Sequence, residues 1–72
     1  MRTNAGYIIT HSCVIDSNRE IVLGCNAHGY MTWICDNGDI YYCGRYFDNY
    51  KEALLDFGKR ISYEAESLND KD

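Results

Sequence analysis

The sequence predicts an α+β domain of order ββββα, a four-stranded antiparallel sheet with one C-terminal helix packed on one face. Three observations predict it. Four runs rich in β-branched and aromatic residues fill the first part of the chain. Asn37-Gly38 splits the last two of these runs with the strongest short hairpin signal available. Beyond Asn49 the apolar residues recur at helical spacing. The strands are expected over about 6–47, the helix over about 49–66 and a frayed acidic tail over 67–72, all in a single small domain, 1–72.

The first two runs, GYIITHSCVI and EIVLGC, are separated by DSNR, a turn composition without glycine, so a loop of three or more residues is expected. With Ser17, Asn18 and Arg19 as that loop, Ile15 faces Ile21, Cys13 faces Leu23 and His11 faces Cys25. The odd-numbered side of this hairpin, with Ile9, Cys13, Ile15, Ile21 and Leu23, is then the more apolar. NAHG connects to the second hairpin, YMTWICD and DIYYCGRYF. A two-residue type I′ turn at Asn37-Gly38 sets Asp36 opposite Asp39 and Trp33 opposite Tyr42. Side chains alternate between faces. Met31, Trp33, Cys35, Ile40 and Tyr42 share one face, the better core, while Tyr30, Thr32, Ile34, Tyr41, Cys43 and Arg45 share the other.

The helix begins with Asn49 and Glu52 in capping-box spacing, with Asp48 as a competing cap. Tyr50, Ala53, Leu54, Phe57, Ile61, Ala65 and Leu68 form its apolar stripe. Asp56 and Arg60 form an i,i+4 pair on the far side. Gly58 costs about 1 kcal/mol against alanine inside a helix, and close approach to Trp33 is the expected compensation.

Composition bounds the function. A chain of 72 residues with 46% hydrophobic and 25% charged residues is globular but marginal in size. No apolar run reaches the length of a membrane span, and the N-terminus lacks a signal-peptide pattern. A cytoplasmic location follows as the expectation, with reduced thiols. Eleven acids against seven bases give a net charge of −4, which disfavours a phosphate-tracking nucleic-acid binder.

Four cysteines and two histidines raise the question of a site. His11, Cys13, Cys25 and Cys35 fall on the expected core side, with His28 three residues after Cys25. Zinc accepts these ligand types in a tetrahedron. The spacing contains no Cys-x2-Cys pair, and buried cysteine commonly serves as a small hydrophobe. A zinc-stabilised domain using His11, Cys13, Cys25, Cys35 or His28 is therefore an alternative only; no metal or other cofactor is the first expectation. His11 and Cys13 share a strand face and could form a base and thiol pair, but a buried thiol is a poor nucleophile. No enzyme activity is expected.

A single helix covers one side of a sheet. On the expected open side lie Tyr30, Ile34, Tyr41 and Arg45, types enriched at interface hot spots. They are the candidate binding residues, for an unknown protein partner or a second copy through the sheet face. Ordinary half-wet strand residues would look the same. An acidic mimic of nucleic acid is a further alternative, and it requires carboxylates clustered on one surface.

The stretch YMTWICDNGDIYYCGRYFDNYKEALLDFGKR, with its aromatic hairpin, its Tyr46-Phe47 exit and its Asp56-Phe57 step, resembles small uncharacterised proteins carried by bacterial mobile elements. The resemblance covers under half of the chain. It implies a bacterial context and an accessory role, and it carries over no functional motif.

Overall fold

Asn37 and Gly38 adopt φ of 57° and 81°, the left-handed conformation that makes Asn-Gly a hairpin signal. Around this turn the computed structural model, which describes residues 1–69, shows an antiparallel meander followed by one helix. The strands are β1 (Thr3–Asn4), β2 (Tyr7–Val14), β3 (Arg19–Asn26), β4 (Gly29–Asp36) and β5 (Ile40–Phe47), hydrogen-bonded in the order β1-β2-β3-β4-β5. The helix α1 spans Tyr50–Asn69. The α+β class and the single C-terminal helix match the sequence expectation. The sheet has five strands rather than four, because Thr3–Asn4 folds back on Tyr7–Ile8 through Ala5 and Gly6, both at positive φ. That turn has no Asn-Gly signature. The helix also extends past residue 66, so residues 67–69 of the expected tail are helical; residues 70–72 lie outside the described residues.

Register departs from expectation in four places. The β4–β5 loop has three residues, since Asp36 pairs with Ile40, not Asp39. This moves Tyr41 opposite Cys35 and Tyr42 opposite Ile34. A bulge then inserts a residue at Cys43-Gly44, with Cys43 at φ 55°, and Arg45 pairs with Thr32. In the first hairpin Val14 pairs with Glu20 and Cys13 with Ile21, two residues from the expected register. A second bulge between Ile9 and His11 flips the alternation, so Ile9 pairs with Gly24 but His11 with Leu23.

These shifts sort the side chains into two cores. One face of the curled sheet carries Val22, Trp33 and Cys35, all buried, packed with Tyr7, Ile9, Met31 and Tyr41. Trp33 makes edge contacts to Tyr7 (5.7 Å) and Tyr41 (5.9 Å). Met31, Trp33 and Cys35 share this face as the sequence predicts, but Val22 and Tyr41 stand in it in place of Ile40 and Tyr42, and the helix does not cover it. The curl of the sheet covers it, closed by Arg2. The Arg2 guanidinium donates to both Glu20 carboxylate oxygens (3.0 and 2.8 Å) and to the Tyr41 hydroxyl (2.8 Å). It also lies 5.5 Å over the Tyr41 ring. Gly44 completes the face, since a Cβ there would sit 2.7 Å from Trp33 Nε1 and 2.8 Å from Met31 Cε.

The helix lies on the opposite face, over Leu23, Thr32, Ile34 and Arg45. This corrects the expected placement beside Trp33. A Cβ at Gly58 would meet nothing within 4 Å, so no approach to Trp33 explains this glycine. Asn49 does cap the helix, accepting from the Glu52 N–H at 2.8 Å.

The turn gives the first test. Gly38→Val places a β-branched residue at φ 81° and is expected to cost about 1–2 kcal/mol, a fall in Tm of roughly 4–16 °C for a domain of this size. Gly58→Ala, in open space within a helix, is expected to raise Tm instead. Thermal unfolding followed by circular dichroism measures both.

Candidate functional site

The roll of α1 about its own axis decides which residues the surface presents. The expected apolar stripe forms the seam with the sheet only in part, through Ala53, Phe57 and Ile61. Ala53, Asp56 and Arg60 are the buried helix residues, with Phe57, Ile61 and Glu64 half-buried. Tyr50, Leu54 and Leu68, assigned to the stripe, are exposed. Asp56 and Arg60, assigned to the far side, face the sheet.

The reason is polar. Thr32 is fully buried on the helix side of β4, and the β5 bulge turns Arg45 to the same side. Asp56 Oδ2 accepts from Thr32 Oγ1 (2.7 Å) and Arg60 Nε (3.0 Å), and Oδ1 accepts from Arg45 Nη1 (2.8 Å). Arg60 also donates to the Cys43 carbonyl at the bulge. Nearer the hairpin tips, Arg19 bridges Asp36 (3.0 Å) and Glu64 (3.2 Å), tying β3, β4 and α1 together. No buried side-chain nitrogen or oxygen lacks a partner among the described residues. Burial pushes the Asp56 carboxyl upward, but the hydrogen bonds from Thr32, Arg60 and Arg45 outweigh it and hold it below the usual range. The Arg2 hydrogen bonds lower Glu20, and those of Arg19 lower Asp36.

With the polar stripe inward, an apolar flank points out. Leu55 is 57% exposed and Tyr63 is 70% exposed, with Leu54 beside them. Between this flank and β5 runs a groove of about 380 Å³, walled by Ile34, Cys43, Arg45, Lys59, Arg60 and Tyr63. Lys59 and Tyr63 also line the shallower depression over Leu54, Leu55 and Gly58, so groove and flank form one continuous surface.

The four candidate binding residues are not brought together on an open face. Tyr30, Ile34 and Arg45 lie on the helix side: Tyr30 packs against Tyr50 (5.5 Å between rings), Ile34 lines the groove and Arg45 is paired with Asp56. Tyr41 lies on the other face beneath Arg2. The extra loop residue moves Tyr41 to the other face, and the bulge returns Arg45 to the face of Ile34. The candidate metal ligands are separated as well. Cys35 is on the Trp33 face, away from His11, Cys13 and Cys25, and His28 is exposed in a turn. No group of three or more His, Cys, Asp or Glu side chains that could hold a metal occurs among the described residues. His11 bonds Thr10 and Tyr50 rather than Cys13. Burial raises the Cys35 thiol above its ordinary value, which makes it a poor nucleophile.

Leu55, Lys59 and Tyr63 were not foreseen. The one signal in the sequence was the pair of polar residues, Thr32 and Arg45, opposite an i,i+4 Asp56–Arg60 pair. All four arginines are held by carboxylates, which leaves no arginine free for phosphate contacts. Glu20, Asp36, Asp56 and Glu64 are the acids in these pairs. No helix among the described residues is long and apolar enough to cross a membrane. Comparison with family models, curated proteins and solved structures gave no significant match.

Two tests follow from the seam. Asp56→Ala leaves buried Arg60 uncompensated and is expected to cost about 3–5 kcal/mol, a large part of the total stability of so small a domain. Urea unfolding measures it. Asp56, Glu20 and Asp36 all have folded pKa values below their unfolded ones. Their stabilisation is therefore full above the unfolded value near 4 and is lost as pH falls through the folded values. Stability is expected to be flat from pH 6 to 8 and to drop below about pH 4, with a shallower drop in Asp56→Asn.

Proposed function

We propose that this domain is a small protein-interaction module whose contact surface is the outer flank of α1 together with the groove beside β5. One observation carries this: α1 turns Asp56 and Arg60 inward and leaves Leu55 and Tyr63 outward. A helix free to bury its best apolar side would hide Leu54 and Leu68. An exposed apolar strip beside a groove lined by both signs of charge is instead the kind of surface a partner protein covers. The expected sheet-face homodimer loses its basis, because α1 occupies the face with Tyr30, Ile34 and Arg45. A role as an accessory protein of a bacterial mobile element, acting by occupying a partner's surface, rests on the resemblance of the Tyr30-to-Arg60 stretch alone.

Leu55→Asp and Tyr63→Ser are expected to change stability by no more than about 0.5 kcal/mol, since both side chains are exposed. Both are expected to lose proteins that the wild-type domain retains in a quantitative pull-down, while Val14→Ser on the opposite edge retains them. Identical captured sets for all four baits would refute the assignment.

A further inference from the structure

The interaction surface leaves one polar cluster unused, at the other end of the helix and on its β2 side. His11 Nδ1 lies 2.9 Å from Thr10 Oγ1, and His11 Nε2 lies 3.1 Å from the Tyr50 hydroxyl. Thr10 Oγ1 also lies 3.3 Å from the Leu23 carbonyl, an atom that can only accept. The single Thr10 hydroxyl proton is therefore directed to Leu23. We assign the tautomer with the imidazole proton on Nδ1, in which Thr10 Oγ1 accepts from His11, because it makes all three contacts hydrogen bonds. Nε2 then carries the lone pair, and the Tyr50 hydroxyl donates to it. The direction of the whole chain is set: Tyr50 O–H to His11 Nε2, His11 Nδ1–H to Thr10, Thr10 O–H to the Leu23 carbonyl.

The local backbone supports this arrangement. Adjacent residues of a regular strand point to opposite faces, so Thr10 could not reach His11 there. The bulge between Ile9 and His11 breaks that alternation at this point. Phe57 closes against the imidazole at 5.9 Å and Tyr30 against the Tyr50 ring at 5.5 Å. Tyr50 is 43% exposed, so its oxygen is accessible from solvent. It opens α1, where the helix dipole favours the negative charge that develops on a reacting phenol.

We infer that Tyr50 is an acceptor site for acyl groups from activated donors, with His11 as its general base. In the step, the Tyr50 oxygen forms a bond to the acyl carbon as its O–H bond breaks. The proton passes to His11 Nε2. The bond between the acyl carbon and the leaving oxygen breaks, and the electron pair departs with the leaving group. The imidazolium then returns its proton to water.

The probe is p-nitrophenyl acetate, with acetylated positions mapped and timed by peptide mass spectrometry. Tyr63 is the internal reference, more exposed than Tyr50 and without a hydrogen bond among the described residues. Tyr50 is expected to acetylate at least about tenfold faster than Tyr63, within the range of general-base assistance. His11→Gln keeps an acceptor for the phenol but cannot take its proton, and is expected to bring Tyr50 down to the Tyr63 rate. Thr10→Val is expected to lower the Tyr50 rate by freeing the tautomer, and Thr10→Ser to restore it. A Tyr50 rate no greater than that of Tyr63 in the wild-type protein overturns the inference. So does a His11→Gln variant that keeps the wild-type ratio. The wild-type ratio decides the matter even where a variant fails to fold.

Discussion

The carboxylate of Asp56 sets the orientation of α1, and through it everything the surface displays. A charged group this buried is tolerable only with its lone pairs filled, and Thr32, Arg45 and Arg60 fill them. Leu54 and Leu68 are 39% and 37% exposed, so rolling the helix to bury them would gain only a part of the ~1.5–3 kcal/mol that full burial of an exposed leucine gives. The roll would also leave the fully buried Thr32 hydroxyl without a partner, at about 1–3 kcal/mol, and remove the contact that holds the exposed Arg45 against the helix. The polar arrangement wins on those magnitudes. Such pairs are poor sources of net stability, but they are sensitive to geometry. An apolar seam tolerates a range of rolls, whereas three donors converging on one carboxylate define one.

Two bulges prepare the sheet for that helix. Each breaks the alternation of a strand and turns a polar side chain toward α1, His11 from β2 and Arg45 from β5. Without them the helix side of the sheet would offer mainly Ile21, Leu23, Thr32 and Ile34, and an ordinary apolar stripe would suit it. The Trp33 face meanwhile closes without a helix. Curl brings the N-terminal residues over the far strand, and the Arg2 guanidinium spans the gap between Glu20 and Tyr41. The domain thus has an apolar core on one side of its sheet and, on the other, a mixed seam in which Ile21, Leu23 and Ala53 are buried beside the Asp56 cluster.

The same two bulges mark the limit of what the residues announce. The Asn37-Gly38 turn, the Asn49 cap, the class of fold and the apolar character of the Trp33 face were legible, because each depends on local chemistry or on simple alternation. Alternation carries forward only until a residue is inserted. Thr10 gives no sign of a bulge, and Gly44, a glycine inside a strand pattern, is a sign that simple alternation passes over. Arg45 still shares a face with Thr32 and Ile34, because the extra loop residue and the bulge offset each other. The three-residue loop had already displaced Tyr41. Helical periodicity located α1 well but misjudged its roll, since apolar spacing counts Leu54 and Leu68 and cannot weigh the polar partners waiting on the sheet. The candidate surface was lost with the roll, and the Tyr50–His11 contact links residues 39 positions apart.

The meander has a kinetic meaning as well. Every hydrogen-bonded strand pair joins neighbours along the chain, so each pairing step closes only a short loop at little entropic cost. The sheet can zip outward from the Asn37-Gly38 hairpin before any distant contact exists. The contacts that span long stretches are all side-chain clasps: Arg2 to Tyr41, His11 to Tyr50, Arg19 to Glu64. They can close only on a sheet that is already formed. The order of assembly thus runs from backbone to clasp, and the last steps lock the curl and dock the helix.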